Sequence, residues 1–252
     1  MSLITYKLLA GILILITSLA AVAYPLKIRA RPSHNRLLEL GDAFASGIFL
    51  GAALFHMLPD ATHDFALSLS TVHYPLAELF CAAGFLLLLF FERLSGDSSH
   101  HDHSAISYVI AFIIIIHSFI EGAALGVNTT FATASIIFLA IIIHKGSEGF
   151  MLAVTLNRSE LAWKHILALI SIFALMTPFG ILFGTSLSLA LQFKTGQLLA
   201  AGFNAFAAGT FLYMSTLHHI NHHQRSHHGE GLIEFVAIVT GLAIMAGLAT
   251  QA

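Results

Sequence analysis

Two matched pairs of residues have the types and spacing to hold a cation. One is His117 and Glu121, in His117-Ser118-Phe119-Ile120-Glu121-Gly122. The other is His144 and Glu148, in His144-Lys145-Gly146-Ser147-Glu148-Gly149. Both read H-x-x-x-E-G. A spacing of four puts imidazole and carboxylate one turn apart on one helix face. Both pairs lie near the middle of long apolar segments, where an ionisable group is costly and has to be paired or ligated. Two imidazoles and two carboxylates make a mixed N/O donor set, which suits a borderline divalent ion. Zn²⁺ would also cancel the charge of two carboxylates and lower the penalty of burying them. A single buried His or Glu would more simply hydrogen-bond a neighbouring helix. Two matched pairs at equal depth on consecutive segments argue against that reading. Lys145 cannot ligate while protonated. It either pairs with Glu121 or Glu148, takes the space of a second cation, or snorkels, which mid-segment depth makes hard.

The segments that carry these pairs are membrane-like. The chain has 252 residues, 57% hydrophobic and 10% charged, with a mean hydropathy of +0.86. Soluble domains carry roughly 25% charged residues. The apolar runs are continuous and do not alternate, which predicts spanning helices. They fall at 3–25, 37–60, 75–93, 105–128, 131–156, 164–190, 196–218 and 230–250. Each is near the ~20 residues that cross ~30 Å of hydrocarbon. The expectation is one all-α polytopic membrane domain over 1–252, with eight transmembrane helices. A formal net charge of −2 gives no case for nucleic acid. The lone cysteine, Cys81, excludes an internal disulfide and argues against a thiolate cage. The 16 histidines outnumber the 11 Lys and Arg, and metal handling is the leading explanation.

Orientation follows from the basic residues. Lys27, Arg29, Arg31 and Arg36 follow the first segment, Arg93 the third, Arg158 and Lys164 the fifth, and Arg225 the seventh. These loops share one side, which the positive-inside rule makes cytoplasmic, so both termini lie outside. Because the basic cluster follows the first apolar run, that run reads as a membrane helix rather than a cleaved signal. Two loops are rich in histidine: His100-His101-Asp102-His103, and the stretch from His218 to His228.

Polar residues elsewhere suggest a path. Asp60, His63 and Asp64, with His56 one turn deeper, could line an outer mouth that attracts a cation, or be ordinary solvated loop residues. Glu39 and Asp42, at the inner end of the second segment, and His218, His219, His222 and His223 are candidates for the exit. Thr177-Pro178-Phe179-Gly180 is expected to interrupt the sixth segment, and Gly41, Gly47 and Gly51 punctuate the second. Such features mark either transporter repeats or close helix packing.

Five stretches together resemble the ZRT/IRT-like (ZIP) metal transporters. They are Phe55-His56-Met57-Leu58-Pro59-Asp60-Ala61, Pro75…Glu78 leading to Gly84-Phe85, the His117–Gly126 stretch, His144-Lys145…Glu148-Gly149-Phe150, and Ala208-Gly209-Thr210-Phe211-Leu212-Tyr213. The resemblance covers nearly the whole chain. It implies a three-plus-two-plus-three arrangement of eight helices. Inverted repeats would flank the central pair, and inward transport would come from one bundle moving against another. It also implies His117, Glu121, His144 and Glu148 as metal ligands. Members with a two-metal site carry Asn and Asp where this chain has Ser118 and Lys145, and Glu where it has Thr177. A single-metal site is therefore expected, with the Lys145 ammonium beside it. This pattern is similar to the subgroup that contains several animal plasma-membrane zinc importers.

The expectation is thus a zinc importer in a plasma membrane or bacterial inner membrane. Zinc is substrate and not cofactor, and Fe²⁺, Mn²⁺ and Cd²⁺ remain open as cargo. Oxygen-preferring Mg²⁺ and Ca²⁺ fit the imidazoles less well. A homodimer is left open. The competing classes are an intramembrane metal-dependent hydrolase and a haem carrier. The first lacks H-E-x-x-H and a nucleophile elbow. Neither accounts for both matched pairs.

Overall fold

The computed structural model describes residues 2–28, 36–69, 73–96, 103–128, 130–159, 161–188, 194–218 and 231–249. Among the described residues every regular element is a helix. The first is α1, Leu3–Ile28. The second segment is α2, Arg36–Ala52, a π-helical turn over Ala53–Met57, and α3, Leu58–Ser68. Then follow α4, Leu76–Gly96, α5, His103–Val127, α6, Phe131–Arg158, and α7, Trp163–Ser188. Last come α8, Lys194–Tyr213, a second π-helical turn at Met214–His218, and α9, Gly231–Ala249. Six stretches are long and apolar enough to cross a membrane: Leu3–Lys27, Arg36–Ser68, Ser107–Val127, Ala134–Arg158, Trp163–Leu187 and Gly231–Ala249. The chain is an all-α polytopic membrane protein.

Helix wins because, without water, each backbone N–H and C=O must be satisfied inside its own segment. The outer surface agrees. In α9, Gly241 and Met245 are buried, while Leu232, Phe235, Val236 and Val239 face outward. An apolar exterior of this kind suits lipid.

Two expectations need correction. The second segment does not end near Pro59, because helix continues to Ser68. Pro59 falls in the first turn of α3, directly after the π turn. There the ladder is already widened, and a missing N–H with a bulky ring is tolerated. Pro178 does not interrupt the sixth segment either, since α7 runs through it unbroken. One proline removes one ladder bond, and a membrane helix packed on its neighbours absorbs that loss.

The chain divides into two compact units. One combines Met1–Pro32 with Ser107–Gln192; the other combines Ser33–Ile106 with Phe193–Ala252. The first unit holds α1, α6, α7 and nearly all of α5. Its core includes Ala10, Ile14, Leu125, Ala134, Ile141 and Ile181. The second unit holds α2, α3, α4, α8 and α9, with Ala61, Phe65, Ala77, Ala201 and Ala205 in its core.

Within the second unit, glycines bring backbones into direct contact. A methyl at Gly47 would strike the carbonyl of Ile238, and one at Gly241 the carbonyl of Phe44, so α2 and α9 interlock. Gly84 stands against the carbonyl of Phe206, and Gly209 against that of Cys81, so α4 and α8 do the same. Helices in lipid gain no hydrophobic drive from meeting each other, and small residues let dispersion and weak polar contacts do the work. Gly47 and Gly51 therefore serve close packing, the latter against Met245.

Gly209→Ala should destabilise the protein by about 1–3 kcal/mol, because the α4 backbone cannot yield as a side chain would. Gly247→Ala, whose added methyl meets nothing within 4 Å, should leave thermal unfolding in detergent unchanged or slightly raised. Equal midpoints for the two variants would show that α4 and α8 are not in backbone contact.

Candidate functional site

The first unit contains all four residues of the matched pairs. α5 supplies His117, Ser118 and Glu121; α6 supplies His144, Lys145 and Glu148; α7 supplies Phe173 and Thr177. The glycine after each Glu explains how these helices come together. A methyl on Gly122 would strike the carbonyl of Thr177, and one on Gly180 the carbonyl of Phe119. Gly126 meets Ile181 and Gly184 meets Ala123 in the same way, so α5 and α7 touch along two glycine turns. On α6, a methyl on Gly149 would lie 3.2 Å from the carbonyl oxygen of Ser18 in α1. Consecutive helical residues point about 100° apart. Each Glu can therefore face inward while the next residue, a glycine, lets a flanking helix pass.

The donors converge. Ligand atoms of His117, Glu121, His144 and Glu148 all lie within 4.8 Å of one another. His117 Nε2 is 2.8 Å from Glu121 Oε1 and 3.5 Å from Glu148 Oε1. His144 Nε2 is 3.4 Å from Glu148 Oε1 and pairs closely with Glu121 Oε1. A tetrahedral ion with metal–ligand lengths of ~2.1 Å places its donors about 3.4 Å apart, so a small readjustment of this set would seat one. All four side chains are 9% exposed or less. Glu148 Oε1 accepts no hydrogen bond among the described residues. A buried carboxylate oxygen facing two imidazoles in this way is a natural place for positive charge.

Lys145 is wholly buried beside this set. Its ammonium donates to Ser118 Oγ at 2.6 Å, Glu148 Oε2 at 2.8 Å and Glu121 Oε2 at 3.4 Å. The Phe173 ring lies 4.6 Å from Nζ, in cation–π range. Ser118 in turn donates to the Ile114 carbonyl at 2.8 Å. Lys145 therefore pairs with both carboxylates, and does not snorkel. Thr177 is also fully buried, but its hydroxyl has no hydrogen-bond partner among the described residues.

The remaining candidates lie in the second unit. His56, Asp60, His63 and Asp64 sit on the π turn and α3, not in a loop. His56 Nδ1 meets Asp60 Oδ2 at 2.9 Å, one turn apart, and His63 Nδ1 lies 4.0 Å from Asp64 Oδ1. Glu39 is half-buried and Asp42 buried on α2. His218 ends the second π turn. His219, His222 and His223 lie outside the described residues.

Several supporting residues escaped the sequence reading. Phe173 is one turn before Thr177, the i, i+4 relation that singled out the pairs, yet an aromatic in an apolar run carries no separate signal. Gly122-x₃-Gly126 and Gly180-x₃-Gly184 were visible as small-residue motifs. Lys7 is buried in α1, and its ammonium donates to the Gly126 carbonyl at 2.5 Å. A cation at the C-terminal end of α5 satisfies a terminal carbonyl and complements the helix dipole.

Comparison with known proteins covers the same length of chain. A family model described as ZIP Zinc transporter matches residues 4–104 and 95–249. Zinc transporter ZIP1 of Takifugu rubripes is 31% identical over 261 residues, covering 86% of each chain. Zinc transporter ZIP1 of Homo sapiens is 27% identical over 292 residues, covering 96% of this chain and 90% of its own. Zinc transporter 3 of Arabidopsis thaliana is 22% identical over 287 residues, covering 98% and 85%.

Glu148→Gln would remove the carboxylate nearest to a fully buried ammonium. Breaking a buried pair in this way should cost about 3–5 kcal/mol, seen as a lower unfolding midpoint in metal-free detergent solution. His63→Gln, at an exposed pair, should shift it by less than about 0.5 kcal/mol. An unshifted midpoint for Glu148→Gln would mean the ammonium does not depend on that contact.

Proposed function

We propose that zinc is the cargo and the cytosol its destination, because the chain belongs to the ZIP zinc transporter family. Members are membrane transporters of divalent metal, not enzymes, so the hydrolase and haem readings fall away. The observation that supports the site is the convergence of two imidazoles and two carboxylates in a buried cluster. A cation that enters exchanges its water for two nitrogens and two oxygens. With no thiolate in the set, release stays feasible. His117, Glu121, His144 and Glu148 are the proposed ligands.

All four belong to one compact unit. If that unit moves as a body, the ligand set travels intact, and access can alternate without the site being dismantled. Inward movement is taken from the family resemblance, and the basic loops support an orientation with both termini on the non-cytoplasmic side of a plasma membrane or bacterial inner membrane. His56 and Asp60, already paired in register, with His63 and Asp64 beyond, are proposed to attract the hydrated ion at the entrance. Glu39, Asp42 and the histidines from His218 onward are proposed to receive it. Iron, manganese and cadmium are the competing cargoes, and a homodimer is the competing assembly.

Zinc uptake into proteoliposomes tests this reading. Wild type should show saturable uptake that His144→Ala and Glu121→Ala reduce to the level of protein-free vesicles. Iron, manganese and cadmium should compete less well than unlabelled zinc. Undiminished uptake by both variants would remove the site, and uptake of manganese in preference to zinc would remove the cargo.

A further inference from the structure

We infer that Lys145 sets how many carboxylate oxygens a cation can reach, and through that number which cations the site accepts. This rests on the four-residue cluster being the cargo site. A carboxylate can bind a metal through one oxygen or through both. Here each carboxylate is divided. Oε1 of Glu121 and of Glu148 faces the two Nε2 atoms. Oε2 of each faces the Lys145 ammonium.

The ammonium has nowhere else to go. It is completely buried, lies against the Phe173 ring, and donates to a Ser118 hydroxyl whose own proton is committed to Ile114. An ammonium has three N–H donors, and they match the three oxygens around it. A cation approaching either Oε2 meets the buried positive charge that already sits there, and like charges at such range repel strongly away from water. The cluster therefore offers two nitrogens and two oxygens.

Four donors of this mixture satisfy a tetrahedral ion such as zinc. Manganese, and more strongly magnesium and calcium, favour six or more donors, mainly oxygen. They would enter this pocket under-coordinated. Selectivity then comes from the two oxygens withheld as well as from the four presented. Lys145 is a positioning residue, because it acts on the cation through the carboxylates.

Co²⁺ provides the probe, since its visible spectrum is intense in four-coordinate sites and weak at higher coordination. The full-length protein in detergent would be titrated with Co²⁺, and zinc and manganese uptake measured separately in proteoliposomes. Wild type should give the intense four-coordinate bands. Lys145→Met should give weak bands and raise the manganese-to-zinc ratio of kcat/KM roughly tenfold or more, the scale on which outer partners of metal ligands act. Most of that change should come from a lower manganese KM. Ser118→Ala keeps the ammonium but loosens it, and should move both readouts the same way by less. If Lys145→Met does not fold, Ser118→Ala decides alone. Wild-type spectra and ratios in every folded variant would overturn the inference while leaving the cargo site standing. A Co²⁺ spectrum unaffected by Glu121→Ala would remove the cargo site itself, and the inference with it.

Discussion

Two buried carboxylates are held by what surrounds them. Glu121 and Glu148 are at most 9% exposed. Left alone, each would cost several kcal/mol to bury as an ion. One ammonium and two imidazoles answer both at once, and each carboxylate divides its oxygens between those partners. Much of the first unit serves that balance. α5 and α6 must stay in register for the pairs to meet, and α7 must stay close enough to bring Phe173 over the ammonium.

Register and closeness come from glycine. In lipid there is no hydrophobic gain to press helices together, so contact depends on how near two backbones can come. The H-x-x-x-E-G pattern joins both needs in six residues. His and Glu share a face, and the following glycine opens the adjacent face to α7 in one pair and to α1 in the other. The second unit uses the same device at Gly47 with Gly241 and at Gly84 with Gly209. Glycine contact is thus the general packing rule of this protein, and the site is built on it.

The helices and the pairs were legible in the sequence because burial of charge and the thickness of a bilayer leave so few solutions. His117, Glu121, His144 and Glu148 stood out by type and period alone. Lys145 stood out too, but its bonds did not, because three arrangements were open until the positions of Ser118 and Phe173 were known. The prolines misled. Pro59 and Pro178 look like helix ends by local rules, and both are carried through by context: a preceding π turn for one and packed neighbours for the other. The two-unit division was also hidden. Residues 1–32 join 107–192 across the chain, and a one-dimensional reading of spans and loops has no term for that. His219, His222 and His223 lie outside the described residues, so the sequence remains the argument for them.

Charge counting gives the ammonium a further meaning for a carrier. Zinc against two carboxylates sums to zero, the outcome of least cost for a buried ion taken by itself. A carrier, however, must hold its site both loaded and empty. Without Lys145, and with neutral imidazoles, the site would carry no charge when loaded and two negative charges when empty. The cost of burying charge grows with its square, so such a site would resist releasing its ion. With Lys145 the loaded and empty sites carry +1 and −1 and pay equal costs on this simple count. A neutral loaded site is what a storage protein needs. A site whose two states are balanced is what repeated turnover needs, and on the proposed ligand set the ammonium at 2.8 Å from Glu148 and 3.4 Å from Glu121 would favour the second kind over the first.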